Sequence, residues 1–92
     1  QTNHAAMMKA PVYLQIISPE KILFQGNVCL ARFPGTASSF VVMKNHAPIM
    51  SLLSKGVISY EGEYGEGRIP VSSGFVQVRN NKVYACIIQK ED

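Results

Sequence analysis

Tryptophan is absent, and aspartate occurs once, at the last residue, Asp92. A carbohydrate- or ligand-binding sandwich would show a concentrated Trp/Asp/Asn patch, and there is none. Of the two histidines only His46 lies in the body of the chain. A hydrolytic triad needs a nucleophile, a base and an orienting acid. The acids ahead of the tail are Glu20 and the glutamates Glu61, Glu63 and Glu66, gathered in one turn. A hairpin tip is a mobile place for paired carboxylates, and a charge run of this kind reads as a solvated tip. No Walker or dinucleotide glycine pattern occurs. We therefore expect no catalytic residue and no cofactor; on its own, His46 reads as a turn residue hydrogen-bonded to backbone.

Cysteine is almost as scarce. Cys29 and Cys86 each sit inside an apolar strand, which favours buried thiols over a disulfide. With no CxxC and one body histidine, no metal site is expected. No apolar run approaches the roughly 20 residues of a membrane span, and the first residues lack the apolar stretch of a secretory signal. Gln1 to Met7 are small, polar and patternless. We expect residues 1–7 to be a disordered remnant, with Met8 as the natural start and one domain over residues 8–92.

Charged residues are only 16% of the 92, and 47% are hydrophobic, which argues against disorder. The net charge is +3 and the pI about 9.0, but the nine bases are scattered, so basicity alone is weak evidence for nucleic acid.

What the chain does have is many short apolar stretches between turn signals. Val12-Tyr13-Leu14-Gln15-Ile16-Ile17 puts Leu14 and Ile16 on one face and Gln15 on the other. Strands are expected over 21–25, closed by Gly26-Asn27, and over 28–33, with Cys29, Ala31 and Phe33 on one side. The organising stretch runs from Phe33 to Met50. Pro34-Gly35 reads as a tight reversal, 40–43 as a short inner strand, and Lys44-Asn45-His46-Ala47-Pro48 as a second corner in which Asn45 and His46 tolerate φ > 0. Strand 49–53 ends at a turn, Ser54-Lys55-Gly56. Strands 57–61 and 67–71 flank a glycine-rich hairpin tip, and Ser72-Ser73-Gly74 reads as another turn. Phe75, Gln77 and Arg79 share one face of the next strand. Asn80-Asn81 reads as a two-residue turn in which both residues can take φ > 0, leading into strand 82–88. No window shows helical periodicity. The fold class is all-β: a sandwich or flattened barrel of short strands.

Six segments in order resemble one family. They are Leu14-Gln15-Ile16-Ile17-Ser18-Pro19-Glu20, Phe24-Gln25-Gly26-Asn27-Val28, Phe33-Pro34-Gly35, Asn45-His46-Ala47-Pro48, Lys55-Gly56-Val57-Ile58, and Val71-Ser72-Ser73-Gly74-Phe75-Val76-Gln77-Val78. Together they resemble the N-terminal β-domain of the epsilon subunit of F-type ATP synthases, from about Val12 to Ile88. The resemblance implies a ten-stranded β-sandwich. It implies a non-catalytic central-stalk subunit that links gamma to the ring of c-subunits and couples rotation to ATP synthesis or hydrolysis. It also implies peripheral attachment, through the complex, to the cytoplasmic face of a bacterial inner membrane.

By the same resemblance, Ser18, His46, Ala47, Pro48 and Ser51 match gamma-facing positions, and the loop of Thr36, Ala37, Ser38 and Ser39 matches the one that points to the ring. Ser38 and Val41 stand where the family usually has glycine, and Lys44 where it has proline. Most bacterial members continue for roughly forty more residues as a helical hairpin that carries inhibition and, in some, ATP binding. If the natural protein is as short as this chain, neither is expected here. A coupling role predicts an exposed apolar strip on one face, because a partner must cover it. The alternative is a small nucleic-acid-binding β-barrel, which needs bases and aromatics together on one face; against it, the bases are dispersed and Phe24, Phe33, Phe40 and Phe75 read as core.

Overall fold

Residues 11–63 and 65–89 are described by the computed structural model. The expectations for residues 1–7, Met8 and Tyr64, and for the tail beyond Gln89, lie outside them. The described residues form eight strands and no helix: β1 (Val12–Ile17), β2 (Ile22–Val28), β3 (Leu30–Phe33), β4 (Phe40–Val42), β5 (Ile49–Leu53), β6 (Gly56–Gly62), β7 (Gly65–Arg79) and β8 (Lys82–Gln89). The class is the expected one. The count is eight where the resemblance implies ten; of the stretches read as separate strands, 67–71 and 75–79 join into one.

That joined strand is β7. Its 15 residues run without reversal through Ser72-Ser73-Gly74. Along one edge it pairs first with β6 (Gly56↔Val71 to Gly62↔Gly65) and then with β5 (Leu53↔Gly74 to Ile49↔Val78). The register is the same on both sides of the gap, so Ser54-Lys55 is a break between collinear strands and not a turn. On the other edge the pairing with β8 skips Ser72, between Val71↔Gln89 and Ser73↔Ile88. Bulges bend strands, and at this one β7 passes from one layer of the sandwich to the other. A side chain on Gly74 would strike the Cys86 carbonyl and sit 2.9 Å from Ile87 Cα, so close strand packing is what requires glycine there.

The sheet order is β2-β1-β8-β7-β6-β3-β4, with β5 beside β7, and the sheet does not close. One layer comprises β5, the second half of β7, β8, β1 and β2, with β1 and β8 parallel. The other comprises the first half of β7, β6, β3 and β4. Between them lie Leu14, Ile16, Phe33, Ile58, Val71, Val76 and Val83, all at most 1% exposed. Phe24 of β2 meets Tyr60 of β6 across the gap, with ring centroids 4.1 Å apart, and Phe33 stacks on Phe40 at 5.5 Å. No polar or charged side chain is buried among the described residues. The interior is held by apolar burial, and hydrogen bonding there belongs to the backbone ladders.

Other local expectations divide. Asn45, Asn80 and Asn81 have φ of 69°, 52° and 63°, as the turn chemistry predicts. Gly26-Asn27 does not end a strand: β2 continues through both to Val28, paired with Val12, and the chain kinks at Cys29. The reversal after Phe33 spans residues 34–39. Gly35 is not at positive φ; it is needed because a Cβ would lie 2.5 Å from the Ser38 carbonyl and 3.0 Å from the Phe40 ring. Cys29 is buried as expected, but Cys86 is only half-buried. Phe75 is 43% exposed, and so is not a core residue.

Candidate docking face

Cross-strand partners point to the same side of a sheet, so register reads out the two outer faces. On the five-stranded layer, Leu52↔Phe75↔Cys86↔Ile17↔Ile22 forms a row across β5, β7, β8, β1 and β2, about 19 Å long at the usual strand spacing. Leu52 is 66% exposed, Ile22 54% and Phe75 43%, with Ile88 at 50% beside them. Ile17, Ser18, Pro19, Phe75, Cys86 and Ile88 line a shallow groove of about 320 Å³ in the middle of this row. The next row is Met50↔Gln77↔Tyr84↔Gln15↔Gln25, tied by a 3.1 Å bond from Gln15 Nε2 to Gln25 Oε1. The third is Arg79↔Lys82↔Tyr13↔Asn27. The face is graded from apolar, through an uncharged row that mixes glutamines with the exposed Met50 and Tyr84, to basic.

The other layer's outer face is different. Ser59, Arg68 and Arg32 are cross-strand partners there, and Arg32 Nη1 lies 3.3 Å from Glu61 Oε2. Val41 and Val57 are scattered among these charges, as single surface apolar residues usually are.

The residues singled out from the sequence fall around the apolar face, not in one cluster. Ser18 closes the end of β1, with its backbone N–H bonded to the Lys21 carbonyl (2.9 Å), and borders the groove. His46, Ala47 and Pro48 stand at the opposite end, beside the β7–β8 turn, because the Asn45 N–H donates to Asn81 Oδ1 at 2.6 Å. The His46 N–H closes its turn on the Met43 carbonyl, and its Nδ1 lies 2.7 Å from the Ala47 carbonyl. Among the described residues no carboxylate lies within ion-pair distance of its ring. Ser51 pairs with buried Val76, so it faces inward on β5, and its hydroxyl donates to the Leu52 carbonyl at 3.0 Å. Thr36, Ala37, Ser38 and Ser39 are all exposed. The Thr36 N–H donates to the Leu52 carbonyl at 3.0 Å, which sets this loop on the outer edge of β5, level with the apolar row.

Sequence reasoning expected an apolar strip but did not name Leu52, Phe75, Cys86, Ile17, Ile22 and Ile88 as its members. Leu52-Leu53 and Cys86-Ile87-Ile88 are runs with no alternation, the pattern of a strand covered on both sides. That was the available signal.

The described residues thus combine an apolar interior with a row of large apolar side chains on the outer side of one layer. The family model described as "ATP synthase, Delta/Epsilon chain, beta-sandwich domain" matches residues 11–87, and the chain belongs to that family. It is 33% identical over 76 residues to the ATP synthase epsilon chain of Syntrophomonas wolfei, covering 82% of this chain and 56% of that one. It is 39% identical over 75 residues to the epsilon chain of Nitratiruptor sp., covering 80% and 58%. The chain thus spans a little over half the length of these curated relatives. Among solved structures, a chain in the Euglena gracilis mitochondrial ATP synthase (OSCP/F1/c-ring, rotational state 1) superposes with a TM-score of 0.80 at 19% identity, covering 87% of this chain and 52% of that one. One in the central stalk/c-ring of the Tetrahymena thermophila mitochondrial ATP synthase gives 0.70 at 14%, covering 84% and 63%. At these identities the two structures speak to the fold.

Proposed function

We propose that this β-sandwich is a non-catalytic central-stalk element of a proton-translocating F-type ATP synthase, linking gamma to the c-ring and keeping rotation coupled to ATP synthesis or hydrolysis. The carrying observation is the outer row Leu52–Phe75–Cys86–Ile17–Ile22, with Leu52, Phe75 and Ile22 exposed and Cys86 and Ile17 half-buried between them. Contiguous exposed apolar side chains rimmed by polar ones are the kind of surface that a protein partner covers. Gamma covers this face, with Ser18 at one end and His46, Ala47 and Pro48 at the other. Ser51 acts from the inner side of β5 by fixing the Leu52 strand. The 36–39 loop, at the β5 edge, faces the ring. The domain spans residues 8–92 and needs no cofactor. It associates peripherally with the cytoplasmic side of a bacterial inner membrane, through the complex.

A tightly packed sandwich suits transmission of torque, because packed cores have low compressibility. Titration of the purified chain into the gamma subunit from the same genome should give saturable binding. Leu52→Asp should weaken it at least about tenfold, since a desolvated charge replaces a buried anchor. Absence of binding, or binding indifferent to Leu52→Asp, contradicts the reading. The nucleic-acid alternative has one point in its favour, the corner where Tyr13 and Tyr84 lie beside Arg79 and Lys82. An unshifted labelled oligonucleotide at low salt disposes of it.

A further inference from the structure

We infer that Arg79, Lys82 and Lys44 form a reader for carboxylates on the docked protein, and that this basic end decides which way round the partner lies across the apolar row. The inference rests on the docking role proposed above and names the chemistry of the partner surface.

Arg79 and Lys82 are direct cross-strand partners at the β7–β8 turn, both exposed and on the same side as Phe75 and Leu52. Like charges placed opposite each other oppose strand pairing, so the isolated fold gains nothing from this pair. The bond from Asn45 N–H to Asn81 Oδ1 ties the β4–β5 turn to the same place, and that turn brings Lys44. Among the described residues none of the three cations has a carboxylate within 4.0 Å; the one ion pair there, Arg32–Glu61, is on the other layer. Glu63 and Glu66 stand at the far β6–β7 hairpin, and Glu20 and the exposed Lys21, of opposite charge, share the turn beyond the opposite end of β1. The strands of this face therefore carry positive charge at one end and no acid.

Apolar contact is non-directional, so the row alone would hold a partner with little preference for its polarity. Charge at one end supplies that preference and accelerates encounter. Arg79 is four residues along β7 from Phe75. The partner should therefore present acidic groups about 13 Å to one side of its own apolar strip.

The test measures association and dissociation rates of the full chain with the cognate gamma subunit, from low to physiological salt. Arg79→Glu/Lys82→Glu should slow association at low salt at least about tenfold and flatten its salt dependence. Dissociation and the melting temperature should change little. Arg79→Lys/Lys82→Arg should behave as the parent. If the double reversal leaves rate and salt slope unchanged while Leu52→Asp abolishes binding, the docking role stands and the carboxylate reader is wrong. If Leu52→Asp is also without effect, the docking face itself is wrong. Salt-sensitive binding to a labelled oligonucleotide or to phosphatidylserine vesicles that needs Arg79 and Lys82, with gamma association indifferent to them, assigns the cluster to a polyanion and overturns the inference.

Discussion

The two outer faces of this sandwich are made from similar strands and differ in what they leave uncovered. Across β6, β3 and the first half of β7, charges of both signs alternate with isolated valines, and Arg32 reaches Glu61 at 3.3 Å. That face is complete in water. Across β5, the second half of β7, β8, β1 and β2, leucine, phenylalanine and isoleucine stand in a row, 43% to 66% exposed at Phe75, Ile22 and Leu52. That face leaves large apolar side chains in water, which a docked partner would cover. The lesson is that the inside of a small sandwich says little about its work. Both layers bury the same kind of side chain inward, and the two differ in what their outer sides expose.

The largest loss is expected from within the core. Leu14 is fully buried between the layers. Leu14→Ala should cost about 2–5 kcal/mol of unfolding free energy in denaturant titration and take both faces with it. Next is the bend of β7. Gly74→Ala puts a methyl against the Cys86 carbonyl and Ile87 Cα, backbone atoms that cannot swing aside. A loss of about 1–3 kcal/mol is expected, with gamma affinity falling too, because Phe75 and Cys86 flank the disturbed pairing.

Smaller effects sharpen the contrast. Arg32→Ala, on the polar face, removes an ion pair whose partners are 52% and 38% exposed. Solvent screens such pairs, so the loss should be at most about 1 kcal/mol, and gamma affinity should stay at the parent value. The smallest effect is titration of Tyr60, whose phenol burial pushes up from its ordinary value near 10. A group with a raised folded-state pKa keeps its proton longer in the folded chain. Stability should therefore be intact below about pH 10 and fall as the pH rises through the raised value. Tyr60→Phe should remove that alkaline slope in melts followed by circular dichroism.

Much of this architecture was legible in the sequence, because strand alternation and turn chemistry are local. Leu14 and Ile16 inward, Phe75, Gln77 and Arg79 sharing a face, and Asn80-Asn81 at positive φ all follow from neighbours in the chain. Gly26-Asn27, Ser54-Lys55-Gly56 and Ser72-Ser73-Gly74 were not legible as what they are. Glycine and serine mark a reversal, but equally a strand that bends, breaks or packs too closely for a side chain, and only the partner strands distinguish these. Phe75 shows the same limit on the docking face. Its alternation said which neighbours it shares a side with, while whether that side is covered depends on β5, β8 and β1 together. Ser18 and His46 could be singled out individually. That they bracket a face, and do not meet at a point, follows from the parallel β1–β8 pairing, which links residues some seventy positions apart.

The protein carries its own probe of the central claim, since Cys86 lies in the apolar groove while Cys29 is buried. The measurement is the rate of maleimide alkylation at Cys86, with and without saturating gamma subunit, beside a Ser59→Cys reporter on the polar face. The account predicts that gamma suppresses labelling at Cys86 and leaves the Ser59→Cys site unchanged. Equal labelling of Cys86 in the free and the saturated chain, or protection of the polar-face site in its place, would contradict it.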